Sequence, residues 1–197
     1  MTDDRTPDAV RRWTRVKWTR AAQIAPLMGD MAYMNAVAGL APDAAFAVLR
    51  DSDPAGAARF VAYCLPRIDA ARWVAACIAD RGAPPARAVA AKAVQRWVAN
   101  PSDEARRLAY TAGDVAGWDT VEGMACLAIF LSGGSMAPDG QAVPVNPPPG
   151  AFGQAAAGAV LLAAHAHGVP AFAGRITTML DMADAIAAGD AVTGLPA

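Results

Sequence analysis

Apolar residues recur along this chain every three to four positions, the spacing of one face of an α-helix, and the pattern restarts at a series of prolines. Pro54, Pro66, Pro84, Pro101 and Pro170 each stand before or at the opening of a helix-compatible stretch. Proline at a first helical position forfeits no hydrogen bond and brings a suitable φ. Asp53 and Asn100, directly before two of these prolines, predict side-chain caps and helix starts near 54 and 101.

Three amphipathic helices follow from the spacing. In PRIDAARWVAACIADR, Ile68, Ala71, Ala75 and Ile78 share a stripe, with Arg67, Asp80 and Arg81 at the polar ends. In PPARAVAAKAVQRWVAN, Val89, Ala93 and Trp97 line up and Arg87, Lys92, Gln95 and Arg96 lie mostly opposite. After Pro101, Ala105, Leu108, Ala112 and Val115 form the expected buried stripe, leaving Glu104, Arg106 and Arg107 to solvent. Gly113 weakens that helix and Gly117 is placed to end it. Shorter helical patterns run over 22–27, 43–49 and 55–65, and a last one over 177–188.

Two segments depart from amphipathicity. Asp119 with Glu122 three residues on has the form of a capping box for a helix through GMACLAIFL, which carries no charge after Glu122. Residues 140–174 carry no charge at all and contain GQAAAGAVLLAAHAH. A helix apolar on every side belongs inside a bundle, so these two are expected to form a central antiparallel pair. Between them lies FLSGGSMAPDGQAVPVNPPPGAF, residues 130–152, with its glycines and the stiff Pro147-Pro148-Pro149 run. Because both neighbours are core helices, this stretch joins parts of one core; a linker between domains would be polar or charged. It is predicted to be an ordered strap across one end of the bundle.

Composition sharpens the fold class. The chain has 51 alanines and comparatively few β-branched or aromatic residues, which favours all-α architecture. At 197 residues it is long enough for one self-sufficient core. The expectation is a single-domain, irregular bundle of about seven to eight helices over 21–188, a mobile basic leader at 1–20 and a tail at 189–197. The net charge of -1 lacks the basic excess of a dedicated nucleic-acid binder. Cys64, Cys77 and Cys126 are odd in number and show no C-x-x-C spacing, which suits buried free thiols in a reducing compartment. The acidic start MTDDRTPDAVRRW does not have the form of a secretory signal, and the apolar run over 155–164 is too short to span a bilayer, so a cytoplasmic location is expected.

Candidate chemistry is sparse. Ser132-Gly133-Gly134-Ser135 lacks the lysine of a phosphate-binding loop and the Gly-x-Ser-x-Gly frame of a nucleophile elbow, so its glycines read as helix-ending turn residues. His165 and His167 are two apart, about 200° around a helix, and cannot share one ion from one face. No catalytic residue, metal site or cofactor is therefore expected. In RRWTRVKWTR, the cations Arg11, Arg12, Arg15, Lys17 and Arg20 interleave with Trp13 and Trp18, the one place where nucleic acid or anionic lipid could bind. Asp3, Asp4 and Asp8 offset that charge. Trp73, Trp97 and Trp118 read as core residues, although Asp69, Arg72 and Trp73 with Arg67 could form a protein-binding surface anchor.

The runs RFVAYCLPRIDAARWVAACIAD, AVQRWVANPSDEARRLAYTAGDVAGWDTVEGMACLAIFLSGGSMAPDG and PPPGAFGQAAAGAVLLAA resemble a bacterial family of domain-of-unknown-function proteins of about this length. The more specific pieces are Leu65-Pro66-Arg67, Trp73, Asn100-Pro101-Ser102, Gly117-Trp118-Asp119-Thr120 and the Ser132–Ser135 turn; between Ile68 and Arg72 the chain departs from the family's more acidic, tryptophan-richer pattern. Members are similar to proteins encoded near type VI secretion components, which implies an accessory, adaptor or chaperone role. The functional expectation is a non-enzymatic adaptor that binds an unidentified protein through a helix groove or through the strap, including Gly133, Gly134 and Ser135. The alternative is an enzyme or small-ligand binder with a pocket near Ser135.

Overall fold

A computed structural model describes residues 12–29, 34–138 and 140–190. Among them are ten α-helices and no strand: α1 (Ala25–Met28), α2 (Met34–Val37), α3 (Pro42–Ser52), α4 (Pro54–Cys64), α5 (Arg67–Arg81), α6 (Ala88–Ala99), α7 (Asp103–Ala116), α8 (Val121–Phe130), α9 (Ala151–His165) and α10 (Val169–Ala188). Single 3-10 turns at Ala21–Gln23 and Pro85–Arg87 complete the path. The first two α-helices are single turns, so the bundle is built from the remaining eight. The last helix is longer than its sequence pattern: Pro170 sits in its first turn, and the uncharged stretch before 177 belongs to it.

The caps follow the chemistry expected of short polar side chains, with two changes of address. Asp53 starts α4 by accepting a hydrogen bond from the Gly56 amide at 2.9 Å. Asn100 instead closes α6, and α7 is capped by Ser102, whose hydroxyl accepts from the Ala105 amide at 3.1 Å. The cap of α8 is Thr120, accepting from the Gly123 amide at 3.1 Å. The Asp119–Glu122 box does not form, because Glu122 turns inward and is fully buried.

α8, uncharged after Glu122, and the apolar α9 sit side by side at the centre. Leu131, at the end of α8, and Phe152, at the start of α9, line the same recess, while Met124 rests in the space left by Gly158 further along. The pair is therefore antiparallel. On the other side of α8, Gly113 of α7 lies under Trp118 and Cys126, where a methyl group would collide with both. A residue that lowers helix propensity thus lets two helices approach closely.

The described residues of 131–150 return the chain from α8 to α9 across one end of the bundle, and they are held at several points along it. The Arg67 guanidinium donates to the Ser132 carbonyl at 2.7 Å. Arg106 donates to the carbonyls of Phe130 at 2.8 Å and Ser135 at 2.7 Å, and Arg107 to that of Ala137 at 3.0 Å. The Ser135 hydroxyl accepts from the amides of Ala137 and Val145, and the Met136 amide donates to the Val145 carbonyl at 2.7 Å. Gly150, at φ +83°, then meets the Leu27 carbonyl and the Tyr63 ring.

Arg106 corrects the expectation that it faces water: it is buried, its charge answered by Asp103 at 2.6 Å and its guanidinium centred 4.8 Å from the Phe130 ring. The described part of the leader, 12–20, lies along the bundle. Trp13 is buried against Phe46 and donates its Nε1–H to Asp184 at 2.6 Å; Trp18 donates to the Tyr63 carbonyl at 3.2 Å. Arg11, the rest of residues 1–11 and residues 191–197 lie outside the described residues.

Candidate functional site

Of the four residues of the site predicted around Trp73, Trp73 and Asp69 are buried, Arg72 is partly exposed and Arg67 is exposed. Trp73 is 0 % exposed and donates its Nε1–H to the Met179 carbonyl of α10 at 2.7 Å. Asp69 is also buried, paired with Arg15 at 3.1 Å and Arg72 at 3.3 Å. Trp73 and Asp69 are therefore anchored in the core between the leader, α5 and α10, with Arg72 reaching in from the partly exposed side of α5. Burial arises because α5 is surrounded by α6, α8, α9 and α10 and hides most of its circumference, not one stripe.

Gly133, Gly134 and Ser135 stay at the strap end. Gly134 takes φ +67°, and a side chain there would press on Asp103 and Arg106. Ser135 organises the strap through its two accepted hydrogen bonds. His165 donates from Nδ1 to the Leu161 carbonyl at 2.9 Å and stacks on Phe172, at the far end of α9 from the strap. No group of three or more His, Cys, Asp or Glu side chains suited to a metal ion occurs among the described residues. Arg15 is held by Asp69, and the Trp13 and Trp18 ring N–H groups are both engaged internally, so the interleaved leader does not present two free stacking rings.

The surface that stands out lies between α6 and α7. These helices are joined by a three-residue turn over 100–102 and run antiparallel. Their inward faces are Ala90, Ala91, Val94, Trp97 and Val98 on α6, and Ala105, Arg106, Ala109 and Gly113 on α7. The α7 stripe predicted for the core is therefore turned outward along most of its length. Close approach to α8 requires the small side chains of Ala109 and Gly113, so the larger Leu108 and Val115 are displaced to the outer side. Val89 is misplaced in the same sense on α6.

The result is a groove of about 470 Å³. Its floor is alanine, at 90, 93, 105, 112 and 116, and its ridges are Val89, Leu108 and Val115, which are 72 %, 43 % and 84 % exposed. Arg87, Lys92 and Arg96 stand along its α6 edge, and no lining residue is acidic. Arg96 pairs with Glu104 at 3.4 Å where the two helices join, while Lys92 has no polar partner among the described residues. Arg87 reaches towards Glu122, with Nη1 3.9 Å from Oε2.

Beneath that end of the groove, Glu122 is fully buried and hydrogen-bonded to Arg81, whose own side chain is almost covered. This ion pair, placed in the core between α5 and α8, was hidden in the sequence because both residues sit at helix ends where charge is ordinary. The clue was that Glu122 is the one charge of α8, followed by eight uncharged residues. The three thiols are equally inaccessible. Burial pushes Cys64 and Cys77 up, and desolvation together with the nearby Glu122 charge pushes Cys126 up to about 12.

No curated protein and no solved structure matches the chain. A family model does, over residues 45–187, a span that includes the α6–α7 groove, the strap and the central helix pair. The chain therefore belongs to DUF6931, a family of unknown function.

Proposed function

We propose that this protein is a non-enzymatic cytoplasmic adaptor that captures one amphipathic helix of a partner protein in the α6–α7 groove. The observation that carries the reading is the exposure of Val89, Leu108 and Val115 along one continuous alanine-floored channel. Contiguous apolar surface of this kind is costly to leave in water and marks interaction sites. An alanine floor suits a helix, because small side chains let a second backbone come close. A groove running along the 12 residues of α6 is about 18 Å long, room for roughly three turns of a docked helix.

Charge selects the occupant. The edge carries Arg87, Lys92 and Arg96, so the partner helix should bear an apolar stripe at i, i+3/i+4, i+7 flanked by Asp or Glu on one side. An accessory or chaperone role beside type VI secretion components, implied by the family resemblance, would fit a surface that shelters the amphipathic segment of another protein. The alternative centred on Ser135 has less support, because that hydroxyl is occupied as an acceptor by two backbone amides of its own loop.

Full-length tagged protein isolated from its native cells should carry one partner in near-equimolar amount. Leu108→Glu combined with Val115→Glu should lose that partner while keeping the helical circular dichroism of the parent, and Lys92→Glu should weaken the complex most at low salt. Retention of the same partner by the double variant, or recovery of the protein only as a complex with itself, would contradict the proposal.

A further inference from the structure

A second concavity lies under the strap, beside the first turn of α9. It encloses about 720 Å³ and is lined by Trp18, Leu27, Tyr63, Leu65, Phe152 and the Pro147–Pro149 run, with Lys17 and Arg67 as its charged members. The volume falls in the range of small-molecule sites, about 300–1,000 Å³. No described lining residue is acidic.

The walls are fixed before anything enters. Gly153 lies directly beneath the Tyr63 ring, where a side chain would be 2.7 Å from Cδ1. Gly150 abuts the Leu27 carbonyl, and the three consecutive prolines stiffen the strap side. Burial also raises the Tyr63 hydroxyl's pKa, as expected beside a poorly hydrated space. A smaller, more polar recess of about 220 Å³, lined by Gly133, Gly134 and Asn146, adjoins it and shares Arg67, Pro147, Pro148, Gly150 and Phe152. Arg67 therefore stands where an apolar chamber meets a polar one.

Among the described residues, neither cation is paired with a carboxylate. Lys17 has no hydrogen bond or ion pair among the described residues. The Arg67 guanidinium has one N–H on the Ser132 carbonyl, which fixes its position and leaves further donors.

We infer that this cleft binds a small organic anion: a flat apolar ring system, stacked among Trp18, Tyr63, Phe152 and the prolines, bearing one acidic head group between Lys17 and Arg67. Aromatic side chains supply offset and edge-on contacts for such a body, and the paired cations supply charge-assisted hydrogen bonds for the head. This inference is independent of the α6–α7 groove and goes beyond the adaptor reading. It also gives the residues around Arg67, Gly133 and Gly134 a role distinct from protein docking.

The probe is 8-anilinonaphthalene-1-sulfonate, titrated by fluorescence against the full chain. Saturable binding of one probe per chain is expected, with displacement by 1-naphthoate at least tenfold more effective than by the neutral 1-naphthalenemethanol. Lys17→Glu, at an exposed position with no partner among the described residues, should weaken binding at least tenfold with unchanged circular dichroism, and Arg67→Gln should do likewise. Val115→Glu, in the other groove, should leave binding unchanged. Equal displacement by the neutral alcohol, full binding by Lys17→Glu, or loss of binding in Val115→Glu would each overturn the inference.

Discussion

Arg106 shows how one side chain can hold a long connection in place. Its fork reaches the carbonyls of Phe130 and Ser135 and the carboxylate of Asp103 from a buried position, so removing it orphans acceptors as well as deleting donors. Arg106→Ala should cost about 2–3 kcal/mol in urea denaturation and should speed amide exchange at Met136 and Val145. Arg106→Lys should recover little, because a single ammonium cannot reproduce the fork. Unchanged exchange at those amides would show that the strap is held some other way. The thiols give a second test at this scale. Cys126 is raised from 9.0 to about 12, and an unfolded chain ionises near the ordinary value. Their burial therefore favours the fold below about pH 9 and contributes less as pH climbs from there towards 12, by about 1.4 kcal/mol per unit for each thiol that remains protonated only when folded. Cys126→Ala should flatten that alkaline decline, and a thiol reagent at pH 8 should label none of the three cysteines until the chain is unfolded.

At the scale of elements, the Arg81–Glu122 pair joins the end of α5 to the start of α8 inside the core. Breaking it from one side leaves an uncompensated buried charge, so Arg81→Met should cost about 3–5 kcal/mol, whereas Arg81→Met with Glu122→Leu should regain most of that loss. Chemical denaturation of the three chains measures this directly; a single variant as stable as the parent would mean that water or Arg87 already answers Glu122. The same elements mark what the sequence made legible. The absence of charge from α9 and from α8 after Glu122 announced the central pair and, through it, the strap, because exclusion of charge from a helix circumference over two turns or more has few other causes. The orientation of α7 was not legible. Its sequence offers two stripes, Leu108/Ala112/Val115 and Ala109/Gly113 with Arg106, and hydrophobicity alone favours the first. Close packing chose the second, since only small residues fit beneath Trp118 and Cys126, and an arginine that can reach backbone carbonyls tolerates burial. Trp73 failed as a surface anchor for a related reason: its polar neighbour Asp69 is neutralised by Arg15, more than fifty residues away in sequence.

For the whole molecule, the groove and the strap end divide the surface into two regions with different chemistry. The groove is open, alanine-floored and edged by cations along α6; the strap end is a walled cleft shaped by glycine, proline and aromatic rings. The exposed members of each, Val89, Leu108 and Val115 in the groove and Lys17 in the cleft, lie outside the buried core, so the two can be altered separately. The groove carries the central claim, and placing a photoreactive p-benzoylphenylalanine at Val115, with Thr177 on α10 as the control position, tests it most directly in the native cell. The account predicts a single dominant cross-linked partner from position 115, captured through an acidic amphipathic helix, and none from position 177. The same adducts from both positions, or none from position 115 in the folded protein, would contradict it.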